Sequence, residues 1–235
     1  MPASEPIIAL SGVRFAWSGG RGFGLTIADF TMAAGERVLL AGPSGSGKST
    51  LLALIAGIAV PDAGTITIAG GQFDRMSGPA RDRFRAAHLG IIFQQLNLLP
   101  YLSVRDNVLL PLRLSPERRQ RVTQPEAEAD RLLQALGLNE PGMASQKAAT
   151  LSTGQQQRVA AARALIGNPS LVIADEPTSA LDRDRQHNFL DLLFAQAEQS
   201  GTTAIMVSHD ESLASRFTRL VRLPDIAQIR QAAAA

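Results

Sequence analysis

The sequence contains no cysteine, which excludes disulfides, thiolate nucleophiles and cysteine-ligated zinc and gives no reason to expect an oxidising compartment. The cytoplasm is the expected setting. Lysine is nearly absent as well: Lys48 and Lys147 are the only ones, so the basic side, 23 residues against 21 acidic, is almost all arginine. A formal net charge of +2 argues against bulk nucleic-acid affinity. Long hydrophobic runs are missing too, because the longest, Leu51 to Val60, is about half of the roughly 20 residues that a spanning helix needs. Any membrane role is therefore expected to come through a partner. The opening Met1-Pro-Ala-Ser-Glu-Pro6 has no basic region followed by an apolar one, so no secretory signal is expected. What is present, 45% hydrophobic and 19% charged residues over 235 positions, is ordinary globular usage and excludes disorder and a coiled-coil rod. A length of this order fits one α/β domain with a smaller subdomain.

Along the chain, Ile7 to Val13, then Phe15 and Trp17, read as strands joined by tight turns at Gly19, Gly20, Gly22 and Gly24. The run Glu36 to Ala41 is a compact strand that ends in a glycine loop, and Lys48 onward has helix-forming composition up to Gly57. Thr65 to Ala69 alternates with the two-residue period of a half-buried strand, and Leu89 to Phe93 is another short apolar segment. From Ser103 to about Gly167 helical spacing takes over: Val104, Val108, Leu109 and Leu112, then Pro125 to Gly137, then a helix with Ser152 as its N-cap that stops at Gly167-Asn168-Pro169. This reads as an inserted helical subdomain, with Ser115 to Arg121 as a solvated turn or short helix on its surface. Leu171 to Asp175 and Thr203 to Val207 look like buried parallel strands flanking a helix over Arg183 to Gln199. The Ala232 to Ala235 run is expected to be a frayed tail.

Gly42-Pro43-Ser44-Gly45-Ser46-Gly47-Lys48-Ser49 is a G-x-x-x-x-G-K-S phosphate loop, with the strand before it and the helix after it that the motif requires. Glycines are needed there because backbone N–H groups must turn inward onto phosphate oxygens while the helix points its positive end at them. Lys48 would contact the β- and γ-phosphates, and the Ser49 hydroxyl would bind Mg²⁺. Leu171-Val-Ile-Ala-Asp175-Glu176 brings two carboxylates to the C-terminal edge of a buried strand, where α/β sheets bind ligands. Asp175 would hold the Mg²⁺ shell, and Glu176 would orient or deprotonate the attacking water.

Leu151-Ser152-Thr153-Gly154-Gln155-Gln156-Gln157-Arg158, just before the carboxylate strand, resembles the L-S-G-G-Q signature of ATP-binding-cassette ATPases. The resemblance covers nearly the whole chain. It places Trp17 at the adenine-stacking aromatic, Gln94 at the Q-loop, Ser179-Ala-Leu-Asp182 at the D-loop and His209 at the switch histidine. It implies that Gly42, Pro43, Ser44, Gly45, Ser46, Gly47, Lys48, Ser49 and Thr50 hold ATP with Trp17, and that Ser152, Gly154, Gln155 and Asp182 meet a nucleotide from a second subunit. Ser49, Gln94 and Asp175 are the implied Mg²⁺ ligands; Glu176, His209, Gln94 and Lys48 are the implied catalytic residues. Other readings stand beside these: Trp17 as a packed strand tryptophan with Phe15 as the alternate aromatic, Gln95 beside Gln94, and His209 as a cap ahead of Asp210-Glu211. Thr153 departs from the motif's first glycine, in a position where a helix start tolerates threonine. His88 and His187 have no such context and read as surface residues.

The implied fold is α/β: a P-loop NTPase core with a mainly parallel sheet, an antiparallel β subdomain and an inserted α-helical subdomain. Residues 1–94 and 168–230 would form the core with its β subdomain, and about 95–167 the helical subdomain carrying the signature. Arg85 to Gln94 and Asn97 to Val108 look most like the lipoprotein-release, macrolide-export and cell-division class of the family. That class implies an ATP-hydrolysing subunit on the cytoplasmic face of the inner membrane, working as a head-to-tail dimer under a permease with a large periplasmic domain. A cleft lined by roughly Gln94 to Val108 would receive a cytoplasmic helix of that permease. The alternative within the family is a mechanical signalling complex without cargo, of the cell-division type. Nucleic acid is not an expected partner.

Overall fold

The computed structural model describes residues 5–17 and 23–230. The expected turn at Gly19, Gly20 and Gly22 and the tail Ala232 to Ala235 lie outside the described residues. In chain order the elements begin with β1 (Ile8–Ala16), β2 (Gly24–Met32), β3 (Arg37–Ala41), α1 (Lys48–Ile55), β4 (Ala63–Ile68) and β5 (Gly71–Gln72). Then come α2 (Gly78–His88), β6 (Leu89–Ile92), α3 (Val104–Leu114), α4 (Pro116–Gln120), α5 (Pro125–Ala135) and α6 (Thr153–Leu165). The chain continues through β7 (Leu171–Asp175), α7 (Arg183–Gln199), β8 (Thr203–Ser208), β9 (Arg219–Arg222), α8 (Leu223–Ile226) and β10 (Ala227–Arg230). They divide into two compact units, residues 1–85 with 205–235, and residues 86–204.

The first unit holds an antiparallel sheet in the order β10-β2-β1-β4-β5. β1 and β2 pair from Ile8 opposite Met32 to Ala16 opposite Gly24, and the inward set Ile8, Leu10, Val13 and Phe15 is buried. The switch of period between Leu10 and Val13 falls on Gly12, which has φ +59, where the pairing of β1 with β4 also shifts register. Opposite it, a side chain at Gly64 would stand 2.4 Å from the Gly12 backbone, so only glycine fits. β3 pairs in parallel with β9, and its Val38, Leu39, Leu40 and Ala41 are all fully buried, as a strand covered on both faces requires.

In the second unit β6 and β7 pair in parallel, Leu89 with Leu171 through Ile92 with Ala174. α3 turns Val104, Val108, Leu109 and Leu112 inward, the stripe read from the sequence. α6 starts at Thr153 behind the Ser152 cap, and α7 spans the expected Arg183 to Gln199. Parallel pairs, an antiparallel sheet and helices together make the α/β class expected.

Three readings need correction. Ser115 to Arg121 does form a short helix, capped by Ser115 Oγ accepting from Arg118 N at 3.2 Å, but it is not simply solvated. Arg118 is 2% exposed, and its guanidinium donates to the carbonyls of Ile166 (2.6 Å), Leu89 (3.0 Å) and Ala164 (2.5 Å). Two of those carbonyls end α6, where the backbone is short of partners and favours a cation. Burial pushes the Arg118 guanidinium down to about 9, so it remains charged at neutral pH. His88 and His187 are half-buried rather than on the surface. His88 Nδ1 lies 3.3 Å from Ser170 Oγ, and burial holds the ring below the usual histidine range.

Candidate functional site

In the first unit, β3 runs out at Ala41 directly into the phosphate loop, and α1 begins at Lys48. Gly45 (φ +76) and Gly47 (φ +91) take backbone conformations that side chains resist, and Gly45 has open space where a Cβ would stand. At Gly47 a Cβ would meet the Phe23 ring at 2.9 Å. Lys48 is 6% exposed, and its Nζ donates to the carbonyls of Gly42 (2.7 Å) and Pro43 (2.9 Å). The ammonium is thus folded back over the loop it belongs to. Ser46 Oγ is buried with no hydrogen-bond partner among the described residues. An orphaned hydroxyl beside a glycine cradle at the positive end of a helix fits a phosphate, whose oxygens supply the missing acceptor.

Trp17 follows β1 and is 47% exposed. Its indole Nε1 donates to Thr50 Oγ1 at 3.2 Å, and its ring stands edge-on to Phe15 with centroids 4.9 Å apart. Phe15 is buried, so of the two aromatics only Trp17 offers a face to a flat ligand. If the indole stacks on adenine, Trp17→Ala weakens nucleotide binding by about 1–3 kcal/mol in a direct titration. Unchanged affinity in the folded variant would return Trp17 to a packing role on Phe15. His209 lies exposed just after β8, and the cap of the turn that follows is Asp210, whose Oδ1 accepts from Ser212 N at 2.9 Å.

The second unit carries the remaining residues. Gln94 and Gln95 are both exposed in the turn after β6. Asp175 ends β7, and Glu176 follows in a left-handed conformation, φ +44, strained for a residue with a side chain. At the start of α6, Ser152 Oγ accepts from Gln155 N at 3.4 Å while Gln155 Oε1 accepts from Ser152 N at 3.0 Å, a reciprocal capping box. Thr153 opens that helix and is not among the left-handed residues, so threonine is tolerated where the motif has glycine. Gly154 is crowded by nothing nearer than Leu181 at 3.8 Å, which leaves the helix start accessible. Asp182 caps α7 by accepting from Arg185 N at 3.0 Å.

Two polar side chains that sequence reasoning passed over hold the segment after Glu176. Gln157 Nε2 donates to Pro177 O at 2.8 Å, and Gln186 Nε2 donates to Thr178 O at 3.1 Å. Both glutamines are buried, one on α6 and one on α7. Gln157 lies inside the signature stretch, and the sequence signal of Gln186 is an amide on a face otherwise occupied by apolar residues. Asn107 on α3 carries the same signal.

Residues 25–179 match the family model described as ABC transporter. The ABC transporter ATP-binding protein YbbA of Escherichia coli strain K12 is 42% identical over 199 residues, 85% of each chain. The lipoprotein-releasing system ATP-binding protein LolD of Francisella tularensis is 40% identical over 193 residues, 81% of each chain. Among solved structures, the dimeric post-hydrolysis state of the cassette MJ0796 bound to ADP and Pi superimposes with a TM-score of 0.77 at 32% identity, covering 92% of this chain and 93% of that one.

Proposed function

This chain belongs to the ABC transporter family, and from that membership we propose that its motifs act as one ATP-hydrolysing engine, shared between two copies and coupled to a membrane permease. The observation that carries the reading is the phosphate cradle: a curled glycine loop with an orphaned Ser46 hydroxyl and a buried Lys48 folded over it. Loop N–H groups and Lys48 bind the phosphates, and Trp17 stacks on the base. Ser49, Gln94 and Asp175 offer a hydroxyl, an amide oxygen and a carboxylate, the hard oxygen set that suits Mg²⁺ held jointly with phosphates. Bound there, Mg²⁺ supplies Lewis-acid neutralisation of the phosphate oxygens. Glu176 orients the attacking water and takes its proton, and His209 holds the γ-phosphate. The second subunit supplies Ser152, Gly154, Gln155 and Asp182, so ATP closes a head-to-tail dimer and hydrolysis reopens it.

Among the described residues no helix is long and apolar enough to cross a membrane, and attachment to its cytoplasmic face is assigned here to the permease. A groove of about 260 Å³ supports a seat for a permease helix, being walled by Ile91, Phe93, Leu110, Pro111 and the 74% exposed Leu114. The resemblance of Arg85 to Gln94 and Asn97 to Val108 to the lipoprotein-release class favours a permease with a large periplasmic domain. Purification of the chain from detergent-solubilised membranes tests this. A multi-pass partner with such a domain is the expected companion; recovery with ribosomes or DNA would overturn the reading.

A further inference from the structure

We propose that Arg163 is a positioning residue for Gln94, holding the loop that carries it in a left-handed turn and tying that loop to the helix that begins behind Ser152. Leu96 and Asn97 are consecutive residues with φ +49, and for leucine this conformation is a genuine outlier that needs outside support. Arg163 on α6 provides it: Nη2 donates to Leu96 O at 2.5 Å and Nη1 to Asn97 O at 2.7 Å. A planar guanidinium fork meets the two carbonyls through two separate nitrogens in a fixed geometry, which the single nitrogen of an ammonium does not reproduce. Leu96 N donates to Phe93 O at 2.9 Å, closing a turn around Gln94 and Gln95, and Asn97 N donates back to Gln95 O around Leu96.

The far end of the same loop is fixed as well. Asn107, fully buried on α3, accepts from Leu99 N at 2.8 Å and donates to Leu99 O and Ser103 O, each at 3.0 Å. With both ends anchored, the position of Gln94 is set by α6 through Arg163 and by α3 through Asn107. Burial lowers the proton affinity of Arg163, and a cation in that setting depends on the carbonyls it meets. Asn97 and Arg163 also line the 260 Å³ groove, so a segment seated there touches the clamp directly. The clamp is thus the element by which groove occupancy would reach Gln94, and through α6 the Ser152 end.

This inference rests on the reading of Gln94 as an Mg²⁺ ligand, and the test separates the two. Hydrogen exchange at the amides of residues 96 to 99 reads the clamp without nucleotide: Arg163→Lys is expected to speed it about tenfold or more. Asn97→Ala, which leaves Arg163 in place and penalises the left-handed backbone on an exposed position, is expected to act in the same direction. Unchanged exchange in both variants would overturn the proposal. In turnover, Gln94→Ala and Arg163→Lys are each expected to cost about tenfold, and the double variant no more than Gln94→Ala alone, because the second change acts only through the first. Multiplying losses would overturn the positioning role and leave Arg163 as packing. If Gln94→Ala alone hydrolyses ATP normally, the metal assignment of Gln94 falls, while the exchange measurement still decides whether Arg163 holds the loop.

Discussion

Glu176→Gln keeps ATP binding and lowers turnover by on the order of 10² or more, because the amide preserves shape but cannot take a proton from water. The backbone at this position is already strained, φ +44, and glutamine occupies it with the same bulk, so the fold carries the substitution unchanged. Nucleotide affinity persists because the loop donors and Lys48 belong to a different segment. Uncleaved ATP then holds the closed state. Size-exclusion chromatography should show a monomer without nucleotide and a dimer with ATP, alongside a steady-state hydrolysis rate near background. Near-normal hydrolysis would remove Glu176 from the chemistry.

Lys48→Ala and Ser152→Arg are each expected to abolish hydrolysis, for different reasons. The first removes the cation that, when ATP arrives, exchanges the carbonyls of Gly42 and Pro43 for phosphate oxygens. Nothing else on α1 carries a positive charge, so the loss is not compensated within that helix. Ser152→Arg leaves the phosphate loop intact but fills the start of α6 with a long side chain and breaks the capping box with Gln155. The cap itself is worth about 1 kcal/mol of stability, too little to unfold a domain of this size. ATP binding to the loop should therefore survive in Ser152→Arg and weaken in Lys48→Ala, measured with the same titration.

How far the sequence discloses this machinery depends on whether a residue's role is local. The phosphate loop is legible because strand, glycines and helix are contiguous, and α6 and α7 are legible because Ser152 and Asp182 cap them and apolar residues repeat at helical spacing. α2 is not, since Gly78 to His88 mixes charged residues with alanines and Phe84 and only Ala87 is buried, leaving no stripe to read. Arg118 misleads for the opposite reason. Arginine in a charged run reads as solvated, and only the fold reveals the carbonyls of Leu89, Ala164 and Ile166 that admit it to the interior. The clamp on Leu96 and Asn97 is equally hidden, because its donor stands 66 and 67 positions away in the chain. Trp17 lies between these cases: its place after a strand is readable, but its bond to Thr50 and the burial of Phe15 are tertiary facts.

The central claim, that each ATP is held by Lys48 of one subunit and Ser152 of the other, is tested most directly by mixing the two inactive variants. In a head-to-tail heterodimer one composite site carries both lesions and the other carries neither, whereas a self-sufficient subunit gains nothing from the mixture. Random pairing makes half the dimers mixed, each with one of its two sites intact, so hydrolysis should return to roughly a quarter of the unsubstituted level if the sites act independently. Activity that stays at the level of the two separate variants, with mixed dimers present, would contradict the shared site.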